Sequence, residues 1–368
     1  MLAELDRHPH ARAVLAPALA PDGTPSHAYL FHGPGGAGKR AAARAVAAEW
    51  LATNTTDAGV RARVAAGSHP DLTWVAPSGA HEILVSDIDG PVVSAASRTP
   101  FEADRRVFVI EHVDELGAQA ANRMLKTLEE PPPFVHLLLL TERLAEVLPT
   151  IRSRCQLVRF DAPSEEQVAE ELQELGALEL TAVACARLSL GDATRARALT
   201  SPEGSELRGR AEAFSRAALA GEVDRIRPWD GLLAAVHSRG EKIRVEMEER
   251  VAVELELYSR SERKRVQSEW SERARRARRR AETEALDLGL GLVSLWFADL
   301  ARLAWRGDEL VRHCDRMSEL RADSGRDPQR LRAAVELVED TRLRFKLNVS
   351  EELACEALAY RLEGLLSS

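Results

Sequence analysis

The sequence has few cysteines and no long apolar run. None of its apolar runs approaches the roughly 20 residues that a membrane span needs. The region from Met1 to His10 also lacks the apolar core of a signal peptide. Cys155, Cys185, Cys314 and Cys355 are scattered without paired spacing, which argues against a cysteine-only zinc site and a disulfide scaffold. These absences predict a cytoplasmic protein that makes no membrane contact.

Lysine is scarce as well. Only five of the 50 basic residues are lysine, so arginine runs through the whole chain and is not in itself evidence of phosphate binding. Acidic residues number 58, and the net charge of -8 gives no overall attraction to a polyanion. Any contact with nucleic acid must therefore come from a local patch.

The apolar periodicity divides the 368 residues into three zones. In the first zone, 1–162, short β-rich runs alternate with helical stretches, which predicts a parallel sheet with helices on both faces. The pattern becomes helical in a small second zone, 163–205, and stays helical in a third, 206–368. The predicted strands are Ala28–His32, Leu72–Ala76, Arg106–Glu111, Val135–Thr141 and Gln156–Phe160, and the predicted helices of the first zone include Arg40–Ala52 and Gln119–Glu130.

Two details of the helical zones can be predicted. Ser164 is expected to cap the first helix, with Glu166 closing a capping box. The last helix, 349–366, is expected to place four apolar residues near one face. These residues are Leu353, Ala357, Tyr360 and Leu365.

A glycine-rich run follows the first predicted strand and opens an alanine-rich helix. From His32 to Arg40 it reads HGPGGAGKR, which matches the P-loop pattern G-x-x-x-x-G-K. In such a loop the backbone amides converge on phosphate oxygens, and Lys39 would reach the β- and γ-phosphates. The predicted nucleotide-binding residues of this loop are Gly33, Gly35, Gly36, Gly38 and Lys39.

Two positions depart from the pattern of an active P-loop ATPase. Arg40 stands where a Ser or Thr hydroxyl usually helps to hold Mg²⁺, and whether it blocks or replaces that ligand stays open. Glu111 ends a predicted strand and is followed by His112, where such enzymes have a metal-binding Asp and a water-activating Glu. Hydrolysis by this chain alone is therefore not expected. The loop could also be a strand-to-helix turn that binds no nucleotide, and Glu111 a solvated residue at the end of its strand.

A third element, Pro149 to Cys155, precedes the last predicted strand. An arginine on a rim loop can reach the γ-phosphate held by a neighbouring subunit and stabilise the charge that develops during phosphoryl transfer. Arg154 is the candidate and Arg152 the alternative. Taken alone, this segment is also typical of an ordinary surface loop.

Together, these motifs resemble those of the bacterial clamp-loader family of AAA+ ATPases. The resemblance rests on four segments in order, Gly33–Lys39, Thr99–Glu102, Asn122–Pro132 and Ser153–Cys155. It is greatest to the delta-prime branch of that family, and it is strongest from about His27 to Phe160. Farther on, Gly191–Leu199 is similar to the glycine stretch of the family's lid domain, and Asn348–Ala354 to its last collar helix.

The resemblance implies an AAA+ P-loop domain, a helical lid and an all-α collar for oligomerisation. It implies a heteropentamer with delta and with ATP-hydrolysing gamma or tau subunits, which loads the sliding clamp on primed DNA as part of a polymerase holoenzyme, a nucleotidyltransferase complex. Arg154 inherits an in-trans role at the ATP site of the adjacent subunit, and Ser153 supports it. Thr141 matches the position that senses the γ-phosphate. The resemblance implies that ATP can bind to this chain, but hydrolysis of ATP by the chain itself is expected to be absent or weak.

The sequence also departs from this family's pattern. Trp50 to Pro70 contains none of the four cysteines of the family's zinc module, so no zinc is expected, and His69 alone is interpreted as a turn residue. The sensing arginine of the lid falls on Thr194, with Arg195 beside it. Two other functions stay open: a self-sufficient ATPase of the gamma or tau type, and a purely structural collar subunit.

The last notable feature is a basic run at 260–280. Ten basic residues against three acidic ones give it a local charge of +7 on an otherwise acidic chain. The run could contact DNA phosphates, with Trp270 offering a stacking surface. The alternative is a solvated collar helix balanced by neighbouring acids such as Glu246, Glu248, Glu249, Glu254 and Glu256.

Overall fold

The computed structural model describes residues 3–6, 8–20, 23–55, 57–77, 82–255, 260–345 and 349–366. The chain divides into two compact units, Met1–Pro163 and Ser164–Ser368. In the part of the chain so described, no helix is both long enough and apolar enough to cross a membrane.

The first unit contains a parallel sheet, as the alternation of strands and helices predicts. Its strands pair in the order β2-β3-β4-β1-β5, and every pairing between them is parallel. The strands are β1 (Ala28–His32), β2 (Leu72–Val75), β3 (Arg106–Ile110), β4 (Val135–Thr141) and β5 (Gln156–Arg159). Each predicted strand is confirmed to within one residue at its ends.

The strand register brings the candidate residues to one edge of the sheet. His32, the last residue of β1, lies opposite Thr141 of β4 and Arg159 of β5. Ile110 of β3 pairs with Leu139, so Glu111 follows β3 at the same edge. Ligands of open α/β sheets bind at the carboxyl ends of the strands, which is where the P-loop begins.

Helices cover both faces of this sheet. On one face Tyr29 and Phe31 share a core with α3, and on the other Ala28 and Leu30 share a core with α6. All seven residues of β4 are buried, as expected for a parallel strand covered on both sides. The helices are α1 (Ala3–Asp6), α2 (Pro9–Leu15), α3 (Lys39–Leu51), α4 (Val60–Ala66), α5 (Val85–Ile88), α6 (Ala118–Glu129) and α7 (Pro149–Arg152).

The second unit contains helices and connecting loops but no strand among its described residues, as the periodicity predicts. Its helices are α8 (Glu165–Glu174), α9 (Glu179–Leu188), α10 (Ala193–Thr200), α11 (Pro202–Ala220), α12 (Val223–Ile226), α13 (Pro228–Leu255), α14 (Arg260–Ala304), α15 (Met317–Ala322), α16 (Pro328–Arg344) and α17 (Glu351–Leu366). The division of this unit into a lid at 163–205 and a collar at 206–368 stays a prediction.

One sequence-based detail of this unit was wrong. The hydroxyl of Ser164 accepts from the backbone N–H of Gln167, whose side chain accepts from the Ser164 N–H. Gln167 closes the box in place of Glu166 because the reciprocal bond needs the third residue after the cap. In α17 the four apolar residues of the predicted face are exposed or partly exposed, including Leu353 and Tyr360. The buried row is instead Cys355, Leu358, Ala359, Leu362 and Leu366.

Candidate nucleotide site and exposed arginine

The loop between β1 and α3 has the backbone that its glycines allow. Gly33, Gly36 and Gly38 have φ values of +146°, +72° and +80°, which L residues with a side chain rarely adopt. A Cβ atom on Gly33 would lie 2.1 Å from the carbonyl oxygen of Phe160. The P-loop backbone predicted from the sequence therefore depends on these glycines.

Lys39 begins α3, and its side chain turns back onto the loop. Its Nζ donates to the carbonyl oxygens of Gly33 at 2.6 Å and Pro34 at 2.5 Å. The residue is 8% exposed. In this conformation, therefore, the ammonium group that would bind phosphates binds backbone carbonyl groups of its own loop.

Glu111 is buried at the end of β3, and protein groups bind both of its carboxylate oxygens. The indole N–H of Trp74 donates to Oε1 at 2.6 Å, and the guanidinium of Arg40 forms an ion pair with Oε2. The guanidinium of Arg44 in turn lies 4.9 Å from the centroid of the Trp74 ring. The two residues that depart from the active pattern, Arg40 and Glu111, therefore contact each other.

This arrangement does not fit the Mg²⁺ ion that the fold implies. Magnesium needs oxygen ligands, and an arginine side chain has no acceptor atom. Arg40 supplies none, and Glu111 is bound on both oxygens by Arg40 and Trp74. His112, which replaces the water-activating acid, has a left-handed backbone at φ 52° and its Nδ1 lies 3.8 Å from Glu115. At positions 40, 111 and 112, therefore, the described side chains offer neither the hydroxyl nor the free carboxylate that would hold magnesium.

Thr141 is fully buried at the end of β4. Its hydroxyl donates to Oδ1 of Asp114 at 2.6 Å and accepts from the backbone N–H of Arg143 at 3.0 Å. The guanidinium of Arg143 binds the other oxygen of Asp114 at 2.8 to 2.9 Å. The γ-phosphate role of Thr141 stays a prediction. The sequence pattern did not indicate Asp114 as a site residue, although it lies only three residues after Glu111.

Arg154 lies on the exposed loop that follows α7. Its Nη2 forms an ion pair with Glu129 at 2.6 Å, and Nη1 donates to the carbonyl oxygen of Thr150 at 2.9 Å. The hydroxyl of Ser153 lies 3.4 Å from Nη1 and itself donates to Thr150 at 3.2 Å. Arg152 is exposed too, and no ion pair or hydrogen bond of its side chain is found within the described ranges. None of these contacts involves a residue of the P-loop.

Comparison with known proteins adds to this geometry. Residues 8–164 match a family model described as DNA polymerase III, delta subunit. The delta' subunit of Pseudomonas aeruginosa is 34% identical over 171 residues, which cover 42% of this chain and 52% of that protein. Over less than half of its length, this chain is therefore similar to clamp-loader subunits of DNA polymerase III. The strand order and the P-loop agree with the AAA+ class that the resemblance predicts.

The clamp-loader relatives are not of a single type. The tau subunit of Bacillus subtilis is 34% identical over 181 residues, covering 43% of this chain and 31% of that protein. The chain thus spans about half the length, or less, of these curated relatives. A solved gamma-subunit-related protein of Thermotoga maritima aligns over 94% of this chain and 96% of its own, with 15% identity and a TM-score of 0.45.

A buried acid, Asp71, directly follows the segment without cysteines, Trp50 to Pro70. Asp71 is fully buried, and its carboxylate accepts the backbone N–H groups of Phe101, Glu102 and Ala103 at 2.6 to 3.0 Å. His69 accepts from the N–H of Asp71 through Nδ1, and burial lowers the pKa of His69. Within the ranges given above, no group of three or more His, Cys, Asp or Glu side chains is placed to hold a metal ion.

Thr194 and Arg195, the two candidate positions for the sensing residue of the lid, lie at the start of α10. Asp192 caps α10, and its carboxylate accepts from the backbone N–H groups of Thr194 and Arg195. These contacts involve the backbone alone at the two candidate positions.

The basic run is only partly described. The side chains of Arg260, Glu262, Arg263, Lys264, Arg265, Glu254, Glu256 and Glu269 lie outside the described residues. Farther along α14, Arg278 binds Glu241 of α13 and Glu282 of its own helix, and Arg279 binds Glu351 of α17. Other contacts of the run are Arg275 with Glu272, Arg280 with Glu284, and Arg273 over the ring of Trp270. Acids thus pair with four of the six arginines whose side chains are described, which favours the collar-helix interpretation.

Proposed function

We propose that this chain is a delta-prime-type subunit of the DNA polymerase III clamp loader. In this proposal it assembles with delta and gamma or tau subunits and helps to load the sliding clamp on primed DNA. Arg154 serves in trans at the ATP site of the adjacent gamma or tau subunit, with Ser153 supporting it. The known relatives, which are delta' and gamma or tau subunits, support this assignment.

The observation that carries the proposal is a contrast between two parts of the first unit. Arg154 is held on an exposed loop, where a second subunit can reach it. The chain's own Glu111, by comparison, is buried and bound by Arg40 and Trp74. In this proposal Arg154 is the cation that the chain offers to another site, whereas both carboxylate oxygens of its own Glu111 are already bound.

The proposal treats nucleotide binding and hydrolysis at the chain's own P-loop separately. The loop glycines keep the backbone that lets amides face a phosphate. The metal-binding positions are occupied by protein groups, as described above. We therefore propose that ATP can bind at Gly33, Gly35, Gly36, Gly38, Lys39 and Thr141 but is not hydrolysed there.

The test uses the complete complex. The chain is reconstituted with gamma or tau, delta, clamp and primed DNA, and single-turnover ATP hydrolysis is measured with Arg154→Ala. An arginine supplied in trans contributes about 10³- to 10⁵-fold in rate at the site it serves. We expect one class of ATP sites to lose this rate, while Arg152→Ala, two residues away, keeps it. Unchanged kinetics for Arg154→Ala would leave the chain a structural subunit.

A self-sufficient ATPase of the gamma or tau type is the second candidate. It is favoured by the intact P-loop backbone and by the tau relative. Under this alternative the purified single chain turns over ATP, and Lys39→Ala abolishes the turnover. If the isolated chain turns over ATP and Lys39→Ala abolishes this turnover, the second candidate is correct and the first proposal is wrong.

A further inference from the structure

The guanidinium of Arg154 has a carboxylate partner that the proposed function does not use. Glu129 is the last residue of α6, and its Oε1 lies 2.6 Å from Nη2 of Arg154. The contact therefore connects the end of α6 to the loop after α7. Glu129 belongs to the run Asn122–Pro132, for which the family resemblance implied no role at Arg154.

A second contact fixes the other end of the same guanidinium. Nη1 donates to the carbonyl oxygen of Thr150, and the hydroxyl of Ser153 lies near the same nitrogen. Both terminal nitrogens thus have an acceptor from this chain, and the side chain is 35% exposed although it lies on an exposed loop. By comparison, no such contact of the side chain of Arg152, the last residue of α7, is found among the described residues.

These contacts leave donors for an external anion. A guanidinium has five N–H donors in a fixed plane, and Glu129, Thr150 and Ser153 take three at most. Arginine side chains are long and have many rotamers, so an unsupported one must be ordered when the phosphate arrives. A group that is ordered beforehand needs no reorganisation during the reaction.

We propose that Glu129 is a positioning residue that holds the guanidinium of Arg154 in the orientation required by the neighbouring ATP site. This inference rests on the proposed function of Arg154. Glu129 itself does not contact the nucleotide in this proposal. It acts through Arg154, whose Nη2 it binds while Thr150 binds Nη1.

The opposite role makes opposite predictions. If Glu129 withheld Arg154 from the neighbour, removing its side chain would raise the rate of hydrolysis. A positioning role predicts a fall, because the guanidinium then has to be ordered in each reaction cycle. An ion pair between partly exposed side chains corresponds to about a two- to fivefold effect.

The experiment measures ATP hydrolysis by the reconstituted complex with Glu129→Ala, Glu129→Gln and Arg154→Ala. We expect Glu129→Ala to lower kcat at the served site about two- to fivefold with KM for ATP unchanged. Glu129→Gln should restore most of this rate, since its amide oxygen still accepts from Nη2. On the Arg154→Ala background, Glu129→Ala should have no further effect.

Glu130→Ala is the matched control, because Glu130 is the next residue and is also exposed. It should leave kcat and KM at their original values. Assembly of each variant complex is measured in parallel, since a merely structural role would alter assembly or KM rather than kcat alone. An unchanged or increased kcat for Glu129→Ala would overturn the positioning role, and an increase would indicate that Glu129 restrains Arg154. If Arg154→Ala has no effect, the proposed function fails and the positioning role with it; if only Glu129→Ala has none, the proposed function stands.

Discussion

At the scale of single residues, the main feature is a buried carboxylate with two partners. Glu111 is 5% exposed and is bound by Arg40 and Trp74. A buried ionised group is tolerated when it is paired and hydrogen-bonded, and removing one partner leaves the other with an unmet desolvation cost. The effect on stability of a substitution at residue 40 should therefore depend on which residue stands at position 111.

We expect Arg40→Ala to lower the free energy of unfolding by about 1–3 kcal/mol, because the carboxylate of Glu111 then loses its cation. In the Glu111→Gln background the same substitution should cost less, since the neutral amide needs no cation. Urea denaturation of the four proteins in this cycle measures the difference.

Arg44→Ala is the control for this cycle. Arg44 lies on the same helix and contacts only the ring of Trp74 at this site, so the loss should stay below about 1 kcal/mol. Equal costs of Arg40→Ala in the two backgrounds would show that the ion pair does not couple these residues.

The sequence could predict both members of this pair but not their contact. Arg40 and Glu111 each depart from a known pattern, so each was recognisable alone. They are 71 positions apart, and only the strand register and the start of α3 bring them together. Glu129 and Asp114 were missed for a related reason, because an isolated acid shows no partner until the fold is known.

At the scale of elements, the strands were predictable because burial on both faces leaves short apolar runs. The N-terminal helices α1 and α2 were not predicted, since they span only four and seven residues. Which face of α17 is buried could not be predicted, because two apolar rows fit its helical spacing. Packing selects the row with Cys355 and Leu358, which the pattern alone does not reveal.

The loop between β1 and α3 gives a prediction at this scale. Gly33→Ala places a Cβ 2.1 Å from the carbonyl oxygen of Phe160 on a backbone with φ +146°. The loop or the end of β5 must then move, and we expect a loss of about 2–4 kcal/mol in the free energy of unfolding. Thermal or urea denaturation of the full chain measures it.

Gly35→Ala is the matched variant in the same loop, because Gly35 is not among the glycines with a left-handed φ. Its cost should be clearly smaller. Equal losses for the two variants would mean that strain at Gly33 does not set the loop conformation.

At the scale of the whole molecule, stability should depend on a buried histidine. His136 of β4 is 4% exposed, and its ring lies 5.0 Å from that of Trp50. Burial lowers the pKa of His136 to about 4, against the partial compensation of a hydrogen bond to the carbonyl oxygen of Ser26. The unfolded chain, with a histidine pKa near 6.5, therefore binds this proton at higher pH than the folded one.

Because of this difference in pKa, the free energy of unfolding should decrease as the pH falls. The contribution of the neutral His136 is complete above pH 6.5 and is lost as the pH falls from 6.5 towards 4. The shift corresponds to at most roughly 3 kcal/mol. We expect the wild-type protein to lose more stability over this window than His136→Gln, which has no titrating ring. Parallel slopes of unfolding free energy against pH for the two proteins would contradict this assignment.

Charge was the least predictable property at this scale. A count along residues 260–280 gives +7, yet Arg278 and Arg279 bind acids of α13 and α17 that lie far away in sequence. A local count includes only neighbours along the chain, whereas pairing depends on helix packing. The helical character of this region was predictable, but the partners of its arginines were not.

The contact between Arg40 and Glu111 also has an evolutionary consequence. A residue with a hydroxyl at position 40 would remove the cation beside the buried carboxylate of Glu111 in the same step. A single substitution in that direction is therefore expected to make the chain less stable, and selection on one residue at a time would oppose it.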